Sequence, residues 1–409
     1  MSNNELHLAT FSDNKISKNK LVSKQLRGNL FIETKDYVTA LPHLQYIINQ
    51  ADYIGDYDLS MAYSNLGVVY HKMNDFETAT SFYTKAIELD DNLLGFLNYG
   101  ELCVDQELYD KGLSLLQNGI VKSVLEENVT NSKWLPSIEQ IQRTPYKLDL
   151  LDLLIESANS WFKYYEYNKN ESHLKQALRT FKLADKLIDY IRYENIEYKS
   201  KLYWREKANE LYVNAVKICY YLNNTEMAFY FLEKNKALLL LEDVTNEQAK
   251  INSNLPVAIA KKEFELKSAI FLAEQQFLES KNKTKVFKAV LEDSIFDKKH
   301  AYKKFVDSID IIYPKYTAYK KKTKVLSGKE IIPILKTQNQ VLLQYIISEE
   351  DGYVIYGDAN TMNLSPIKDV PGLLTNSNQL LKLLQHPLYT TAEFSAFREL
   401  SKIVYNSLI

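Results

Sequence analysis

Two cysteines and six histidines are the side chains of this chain best suited to nucleophilic or metal chemistry. A thiolate nucleophile needs a histidine beside it to accept the thiol proton, and a zinc site needs ligands at a helical spacing such as HExxH. Cys103 and Cys219 lie in apolar helical patterns, and no histidine pair has that spacing. The histidines are His7, His43, His71, His173, His300 and His386. We therefore expect no catalytic residue and no metal site, and the absence of a Gly-rich phosphate loop indicates no cofactor.

Residues 60–91 carry the clearest pattern in the chain, and it is structural in character. They read SMAYSNLGVVYHKMNDFETATSFYTKAIELDD, with small residues where two helices would cross and large residues beside them. The residues that set this pattern are Tyr63, Leu66, Gly67, Tyr70, Ala79, Tyr83 and Ala86. The stretch resembles the tetratricopeptide repeat, a helix pair that buries its apolar face only against neighbouring pairs. The resemblance implies further repeats on both sides.

The same pattern recurs before and after this stretch. Gly100 follows Gly67 at roughly the 34-residue length of one repeat. Gly28 precedes Gly67 by a longer interval, and we attribute the extra residues to a longer second helix that includes residues 45–57. Pro42 would then lie near the first turn of that helix, where proline is tolerated. Three repeats in register satisfy the minimum for a stacked solenoid.

Beyond the repeats the chain keeps helical periodicity and then changes character. Residues 256–310 predict an antiparallel helical hairpin, residues 327–336 a short helix, and residues 341–348 with 352–356 a β-hairpin. The expected division is a flexible N-terminus 1–20, three repeats 21–125, an irregular link 126–147, divergent repeats 148–250, a helical hairpin 255–312 and a partial α/β segment 313–409. The predicted fold class is therefore mainly α: a tetratricopeptide-like α-solenoid of helix pairs, then a long helical hairpin and a small C-terminal α/β segment.

Composition limits the classes of partner and compartment. With 50 basic and 52 acidic residues the net charge is −2, which gives no drive toward nucleic acid or a membrane surface. The N-terminus lacks the apolar core of a signal peptide, and no apolar run reaches the roughly 20 residues that span a bilayer. Two cysteines within helical patterns favour a reducing compartment, so we expect a cytoplasmic protein.

The order of elements carries a second resemblance. An EKNKALLLLE helix at 233–242 ends the repeats, and a helical hairpin, a YPKY segment at 313–316 and a strand pair LLQYIISEEDGYVIY at 342–356 follow it. Together, residues 20–409 resemble the tetratricopeptide proteins that carry a CHAT domain, a caspase-like peptidase module related to separase. The resemblance implies a bacterial cysteine peptidase system in which partner docking on the solenoid controls a protease.

The catalytic motifs of that family are missing from this sequence. Active members carry a histidine followed by glycine and a cysteine in a Ser-Ala-Cys strand end, the pair that forms a thiolate nucleophile. No histidine here precedes glycine, and neither cysteine follows Ser-Ala. The resemblance therefore implies the recognition half of a peptidase, itself not an enzyme, whose sequence stops before the first central strand. We expect the missing C-terminal peptidase half to be one of its partners.

In tetratricopeptide repeats the first helix of each pair lines a concave groove, and this resemblance implies which residues would bind a partner. They are Asn29, Asn65, Val68, His71, Lys72, Asn98, Glu101 and Asp105. Asparagine amides donate to and accept from an extended peptide backbone at the same time. Capture of a C-terminal carboxylate is not expected, because Gln25, Leu94 and Asn98 stand where chaperone-type relatives have basic residues. The alternative for Asn65 and Asn98 is a surface amide with a local hydrogen bond.

Three functions are compatible with these patterns. The first is the regulatory, partner-recognising part of a caspase-like peptidase system, and the second is a self-contained adaptor that binds a protein or peptide without any protease. The third is an enzyme that uses the C-terminal α/β segment, which lacks a converging nucleophile, base and oxyanion donor. A lone two-stranded hairpin is marginal in water, so an incomplete module predicts proteolytic trimming back to about residue 310.

Overall fold

A computed structural model describes residues 20–90, 92–127, 129, 131–194, 198–279, 285–316, 325–385 and 387–408 of the 409-residue chain. The chain divides into two compact units, unit 1 (Met1–Leu187) and unit 2 (Ile188–Ile409). Most of the described residues are helical, and a small antiparallel sheet lies in unit 2. These elements confirm the predicted fold class. The predicted flexible segment 1–20 lies outside the described residues apart from Lys20.

Unit 1 is built from consecutive antiparallel helix pairs. Its helices are α1 (20–33), α2 (Tyr37–Ile48), α3 (Asp56–Lys72), α4 (Phe76–Leu89), α5 (Leu93–Asp105), α6 (Tyr109–Ser123), α7 (Ile138–Arg143), α8 (Lys147–Asn168) and α9 (Glu171–Glu194), the last of which continues into unit 2. Helix α7 falls in the segment predicted to be an irregular link. A capping box between Ser137 and Gln140 starts it, and its buried Ile141 fixes it to the core.

Glycines on the first helix of each pair allow the second helix to come close, as the pattern predicts. A Cβ atom added at Gly67 would lie 2.5 Å from the Cδ1 atom of Tyr83, which is fully buried. Equivalent approaches recur in the neighbouring pairs, so the pairs share one packing register. They join Gly28 to Leu44 at 2.7 Å and Gly100 to Leu116 at 2.6 Å.

The turn inside each pair repeats as well. One residue of each turn adopts the left-handed conformation, with φ between 60° and 63°. These residues are Lys35, Asn74 and Glu107. The next residue caps the second helix in two of the turns, where the Asp36 and Asp75 side chains accept from the N–H groups three residues on. In the third turn Leu108 occupies that position and makes no capping bond.

The prediction of a longer second helix in the first repeat is wrong. Helix α2 ends at Ile48, a 3₁₀ turn covers Ala51–Tyr53, and α3 already begins at Asp56. Acidic residues in the first turn of α3 favour a helix start there, because they interact well with the positive end of the helix dipole. Pro42 is the sixth residue of α2 rather than a first-turn residue. The carbonyl of Val38 loses its helical donor, and the side chain of Val38 is 70% exposed, so water can replace that donor.

Unit 2 contains long helices followed by a mixed segment. Its elements are α10 (Tyr198–Tyr221), α11 (Thr225–Asn252), α12 (Val257–Glu279), α13 (Lys285–Ile312), α14 (Gly328–Gln338), β1 (Leu342–Ile347), β2 (Gly352–Gly357), β3 (Met362–Pro366), α15 (Val370–Leu384) and α16 (Thr391–Leu408). Helices α12 and α13 contact each other and confirm the predicted hairpin, although its turn lies outside the described residues.

The YPKY segment is fixed to the base of this hairpin by a buried carboxylate. Tyr316 is 1% exposed, and its hydroxyl donates to Glu263 Oε2 of α12 at 2.6 Å. The Tyr302 hydroxyl of α13 donates to Glu263 Oε1 at 3.2 Å, and the Lys267 ammonium lies 3.4 Å from the same oxygen. Hydrogen bonds to a buried carboxylate offset the cost of removing it from water. The second tyrosine of the motif therefore has a structural role.

The sheet has three antiparallel strands in the order β1-β2-β3. Strands β1 and β2 confirm the predicted β-hairpin, whereas β3 was not predicted. Its sequence MNLSP is short, polar and ends in proline, so it carries little β-signal of its own. An Asp358 side chain that accepts from the N–H groups of Asn360 and Thr361 holds the turn that brings β3 against β2. The sheet contacts α10 and α11, so it does not stand as a lone two-stranded hairpin.

Candidate functional site

The first helices of the pairs in unit 1 lie side by side and share one layer. Helix α3 contacts α5, and α5 contacts α8, while α4 and α6 lie on the second layer against them. Side chains of α1 also reach α3. This is the layer that the repeat pattern predicts to line a groove, and seven of the eight predicted groove residues make polar contacts on it.

Amide groups connect α1, α3 and α5. The Asn65 Nδ2 group donates to Asn29 Oδ1 at 2.9 Å, and the Gln25 Nε2 group donates to the same oxygen at 3.0 Å. Between α3 and α5, the Asn98 Nδ2 group donates to Ser64 Oγ at 3.2 Å. Asn65 is only 8% exposed. The alternative of a surface amide with a local hydrogen bond does not describe Asn65, which is buried, and the hydrogen bonds of both asparagines join neighbouring repeats rather than groups close in sequence.

Charged groups continue the contacts along the same layer. The Lys72 ammonium lies 3.0 Å from Glu101 Oε1. Asp105 bridges two helices, since its Oδ2 lies 3.3 Å from His71 Nε2 of α3 and its Oδ1 lies 2.9 Å from the Lys163 ammonium of α8. The hydrogen bond with His71 and the ion pair with Lys163 lower the pKa of Asp105 to about 2. Asp105 is thus ionised at neutral pH and holds three helices together.

Val68 is the predicted groove residue that does not take part in these polar contacts. It is half-buried and packs against the apolar cluster that contains Ala79, Tyr83 and Cys103. Its position on α3 therefore supports the contact between the two layers rather than a polar surface.

Two residues of α8 belong to this site and were not predicted. Lys163 contacts Asp105, and Glu156 lies two helical turns before it on the same face. Burial and the nearby carboxylate of Glu101 raise the pKa of Glu156 to about 7, although Lys163 and a 3.3 Å hydrogen bond from Ser160 Oγ act against that rise. The seven-residue spacing of Glu156 and Lys163 indicates that they share one face of a helix. The sequence of α8 has no glycine at the repeat offset, so it does not show which neighbouring helix that face contacts.

We expect Glu156→Gln to make unit 1 less sensitive to alkaline pH. The pKa of Glu156 is raised in the folded chain, so the stability that its proton provides is fully present below about pH 4.3 and is lost as the pH rises through about 7. Glutamine has no such proton to lose. Thermal unfolding at about pH 4.5 and about pH 8 should therefore show a gain in Tm for the variant at the higher pH only.

Glu166→Gln is the matched control for this prediction, because Glu166 is an exposed glutamate on the same helix. Its Tm should follow that of the unmodified chain at both pH values. An equal gain in Tm for Glu156→Gln at both pH values would contradict the argument from burial.

The two cysteines are packing residues in the structure. Cys103 is 1% exposed and Cys219 is fully buried, and neither forms a disulfide. Burial raises the pKa of the Cys103 thiol, which disfavours the reactive thiolate. Across the described residues no cluster of His, Cys, Asp and Glu is arranged to hold a metal ion. None of the described helices has both the length and the apolar composition needed to cross a membrane.

Comparison with known proteins agrees with the helix pairing of α3 and α4. The model of the tetratricopeptide repeat family matches residues 60–93. A solved tetratricopeptide repeat protein from Parabacteroides merdae is 14% identical to the chain, with a TM-score of 0.24, and the match covers 54% of this chain and 94% of that one. No curated protein shows a significant match to the chain.

The matched stretch comprises most of α3 and all of α4, and the pairs on either side repeat its crossing and its turn. Stacked repeats of this kind present an extended surface built from their first helices. The chain is therefore a helical-repeat protein of the protein-interaction type, and the described residues give no positive indication of enzymatic activity.

Proposed function

We propose that the chain binds an extended segment of a partner protein along the layer formed by α1, α3, α5 and α8. The observation that supports this function is the row of polar contacts across that layer, which runs from Gln25 and Asn29 through Lys72 and Glu101 to Lys163. Each contact joins side chains of the same helix or of neighbouring first helices. A partner would therefore meet groups that are already held in place.

The chemistry of the row suits an extended peptide backbone. Asn29 Oδ1 already accepts two hydrogen bonds, which leaves its amide N–H groups to donate to a partner. Side-chain amides can serve the backbone of many sequences, whereas charged pairs read particular side chains. The Lys72–Glu101 pair is partly exposed, with 42% and 32% of the two side chains accessible. We infer that this pair contributes to the choice of partner sequence.

A charge exchange tests this function and keeps an ion pair between the two positions. Peptides from a random displayed library are selected on the full chain and then titrated calorimetrically against the double variant Lys72→Glu with Glu101→Lys. The exchange keeps the ion pair but reverses the charges that a partner meets, so affinity should fall at least about fivefold. The control exchange is Glu139→Arg with Arg143→Glu, an exposed pair on α7.

The control exchange should leave the affinity unchanged, because that pair is not on the layer of first helices. Peptides that bind both double variants as tightly as the unmodified chain would remove the proposed layer as the binding surface. Selection that yields no saturable binder would have the same meaning.

We further propose that this surface serves a caspase-like peptidase system. The support is the order of elements in unit 2, where α11 is followed by the hairpin of α12 and α13, then α14 and the strands β1 and β2. This order matches the CHAT resemblance, and the partner would then include the peptidase half that carries the His/Cys pair. Without that link the chain would act as an adaptor for a protein or peptide.

The reading frame beyond codon 409 decides between these two versions. A His-Gly followed by a Ser-Ala-Cys strand end is the expected result for the peptidase system, and a stop codon there would contradict it. A cytoplasmic location belongs to the same proposal, and it is supported by two buried cysteines without a disulfide.

A further inference from the structure

A stack of tyrosines lies at the end of α8 and beside the turn between α5 and α6. The rings of Tyr109 and Tyr164 are parallel within 6°, with centroids 4.7 Å apart, and Tyr167 packs on Tyr109 at 5.3 Å. Tyr167 is 63% exposed, so one side of the stack faces water. We name this surface the tyrosine edge. It comprises Glu107, Leu108, Tyr109, Asp110, Tyr164, Glu166 and Tyr167.

Leu108 departs from the pattern of the other turns. The equivalent residues Asp36 and Asp75 cap their helices, whereas Leu108 makes no capping bond and is 49% exposed. Leucine at an N-cap gives up a hydrogen bond that aspartate or asparagine would supply. Among these three turns, Leu108 alone places an apolar side chain at the surface where the others have a capping aspartate, and it does so next to the exposed rings.

Carboxylates surround the stack. The Tyr164 hydroxyl donates to Asp110 Oδ1 at 3.4 Å, and burial together with the charges of Glu107 and Glu166 raises the pKa of Tyr109. In the part of the chain that the structure describes, none of these three carboxylates forms an ion pair. The nearby ammonium of Lys163 is already bound to Asp105. The tyrosine edge is thus a negatively charged surface with exposed aromatic faces.

The base of the stack is a group of aromatic rings with one lysine beside it. His173 packs on Tyr164 with centroids 4.3 Å apart, and burial and the charge of Lys133 lower the pKa of His173, so its ring is neutral at pH 7. The Lys133 ammonium itself lies 5.6 Å from the centroid of Trp161, which packs on the same histidine. This group of rings therefore already accepts one cation on an aromatic face. Among the described residues, His173 Nδ1 and Trp161 Nε1 are buried without a hydrogen-bond partner.

We propose that the tyrosine edge binds an arginine side chain of a partner protein, with an apolar neighbour of that arginine resting on Leu108. A guanidinium is planar, stacks on a tyrosine face and pairs with two carboxylate oxygens at once, which a lysine ammonium cannot do. Three carboxylates without ion pairs provide the charge complementarity. Tyr164 and Tyr167 lie at the end of α8, past Lys163 where the row of polar contacts ends, and the turn into α6 supplies the rest of the surface, so this site lies beyond that row.

A labelled peptide tests the assignment on the full chain. The probe is fluorescein-Gly-Ser-Arg-Leu-Arg-Ser-Gly at low ionic strength, and fluorescence anisotropy measures its binding. Replacing both arginines by lysine should weaken binding about threefold, and replacing them by glutamate should abolish it. Tyr167→Ala and Glu166→Gln should each weaken binding of the arginine peptide about threefold to fivefold. The control Tyr57→Ala removes another tyrosine of unit 1 that is 63% exposed and should change nothing.

Leu108→Asn separates binding from folding. Asparagine restores an N-cap to α6, so this variant should unfold at a higher temperature. It removes the apolar contact of Leu108, so it should bind the arginine peptide about threefold more weakly than the unmodified chain. A structural role alone cannot lower affinity while it raises stability. The proposal is overturned if the arginine peptide shows no saturable binding, if Tyr167→Ala binds it as tightly as the unmodified chain, or if the glutamate peptide binds. The proposal would also be overturned if the chain self-associates and Tyr167→Ala abolishes that self-association, because the tyrosine edge would then bind a second copy of the chain.

Discussion

Replacing Gly112 by alanine is expected to destabilise the α5–α6 pair by about 2 kcal/mol. The expectation runs against sequence patterns, because the equivalent residue of the preceding repeat is Ala79 and alanine is the better helix former. A Cβ atom at position 112 would lie 2.6 Å from Val104 Cγ2, 2.9 Å from the carbonyl oxygen of Gly100 and 3.2 Å from the Val104 amide nitrogen. Two of these three atoms belong to the backbone and cannot rotate away.

The size of the effect follows from two opposing contributions. Overpacking of a tight contact costs about 1–3 kcal/mol, and a backbone clash belongs at the upper end. Replacing glycine by alanine inside a helix returns about 1 kcal/mol. The net loss is therefore about 2 kcal/mol. Hydrogen exchange of α5 and α6 peptides, followed by mass spectrometry along a urea series, measures the loss in unfolding free energy in these two helices.

Gly119→Ala provides the comparison within the same helix. Its Cβ would meet the Leu153 Cδ2 methyl at 2.7 Å, the end of a flexible side chain that can turn aside, and the Phe96 Cβ atom at 3.1 Å, a contact that a shift of a few tenths of an ångström relieves. We expect a loss of less than about 1 kcal/mol there. Equal losses at positions 112 and 119 would show that the approach of two backbones is not what requires Gly112.

The crossing of the helix pairs could be predicted because it depends on side-chain size at fixed offsets. Gly67 and Tyr83 meet as the pattern requires, and the same offset brings Gly28 to Leu44. The end of α2 could not be placed in the same way. The breaker that follows Ile48 is Gly55, the N-cap residue of α3, which lies seven residues past the end of α2, and the acidic first turn of α3 favours a helix start beside it.

The candidate site was predictable only within the registered repeats. Lys72 with Glu101 and His71 with Asp105 come from helices whose register follows from glycine positions. Glu156 and Lys163 lie on α8, whose crossing lacks that signal, so sequence alone could not place them on the same layer. Their partners are brought together only by the packing of α5 on α8.

The EKNK stretch of α11 shows the same limit more clearly. In the sequence alone, its residues formed only part of a resemblance to a family. In the structure, three of them contact side chains that are far away in the sequence. Glu233 accepts from Gln344 of β1 at 3.0 Å, Lys234 pairs with Asp189 of α9 at 2.6 Å, and Asn235 donates to Asn209 of α10 at 3.0 Å. Side chains that bond across the fold leave no periodic signal along the chain.

Lys234→Met is expected to destabilise unit 2 by about 3–5 kcal/mol. The Lys234 side chain is 1% exposed and its ammonium lies 2.6 Å from Asp189 Oδ1, whose side chain is 16% exposed. Removing the ammonium takes away a cation 2.6 Å from a carboxylate that is largely out of water. Removing one partner of a buried ion pair is costly for this reason. The methionine side chain itself fills about the volume of the lysine side chain, so packing contributes little to the expected loss. Hydrogen exchange of α10 and α11 peptides along a urea series measures the loss.

The double variant Lys234→Met with Asp189→Asn separates the charge from the packing. If the loss comes from an uncompensated carboxylate, neutralising Asp189 should recover most of it, since a buried ion pair is worth little more than a neutral pair of the same shape. Lys236→Met is the control two residues along α11, because the Lys236 side chain is 54% exposed, and it should change stability by less than about 0.5 kcal/mol. If the double variant is as unstable as Lys234→Met alone, the charge argument fails and the lysine acts through the volume and contacts of its stem.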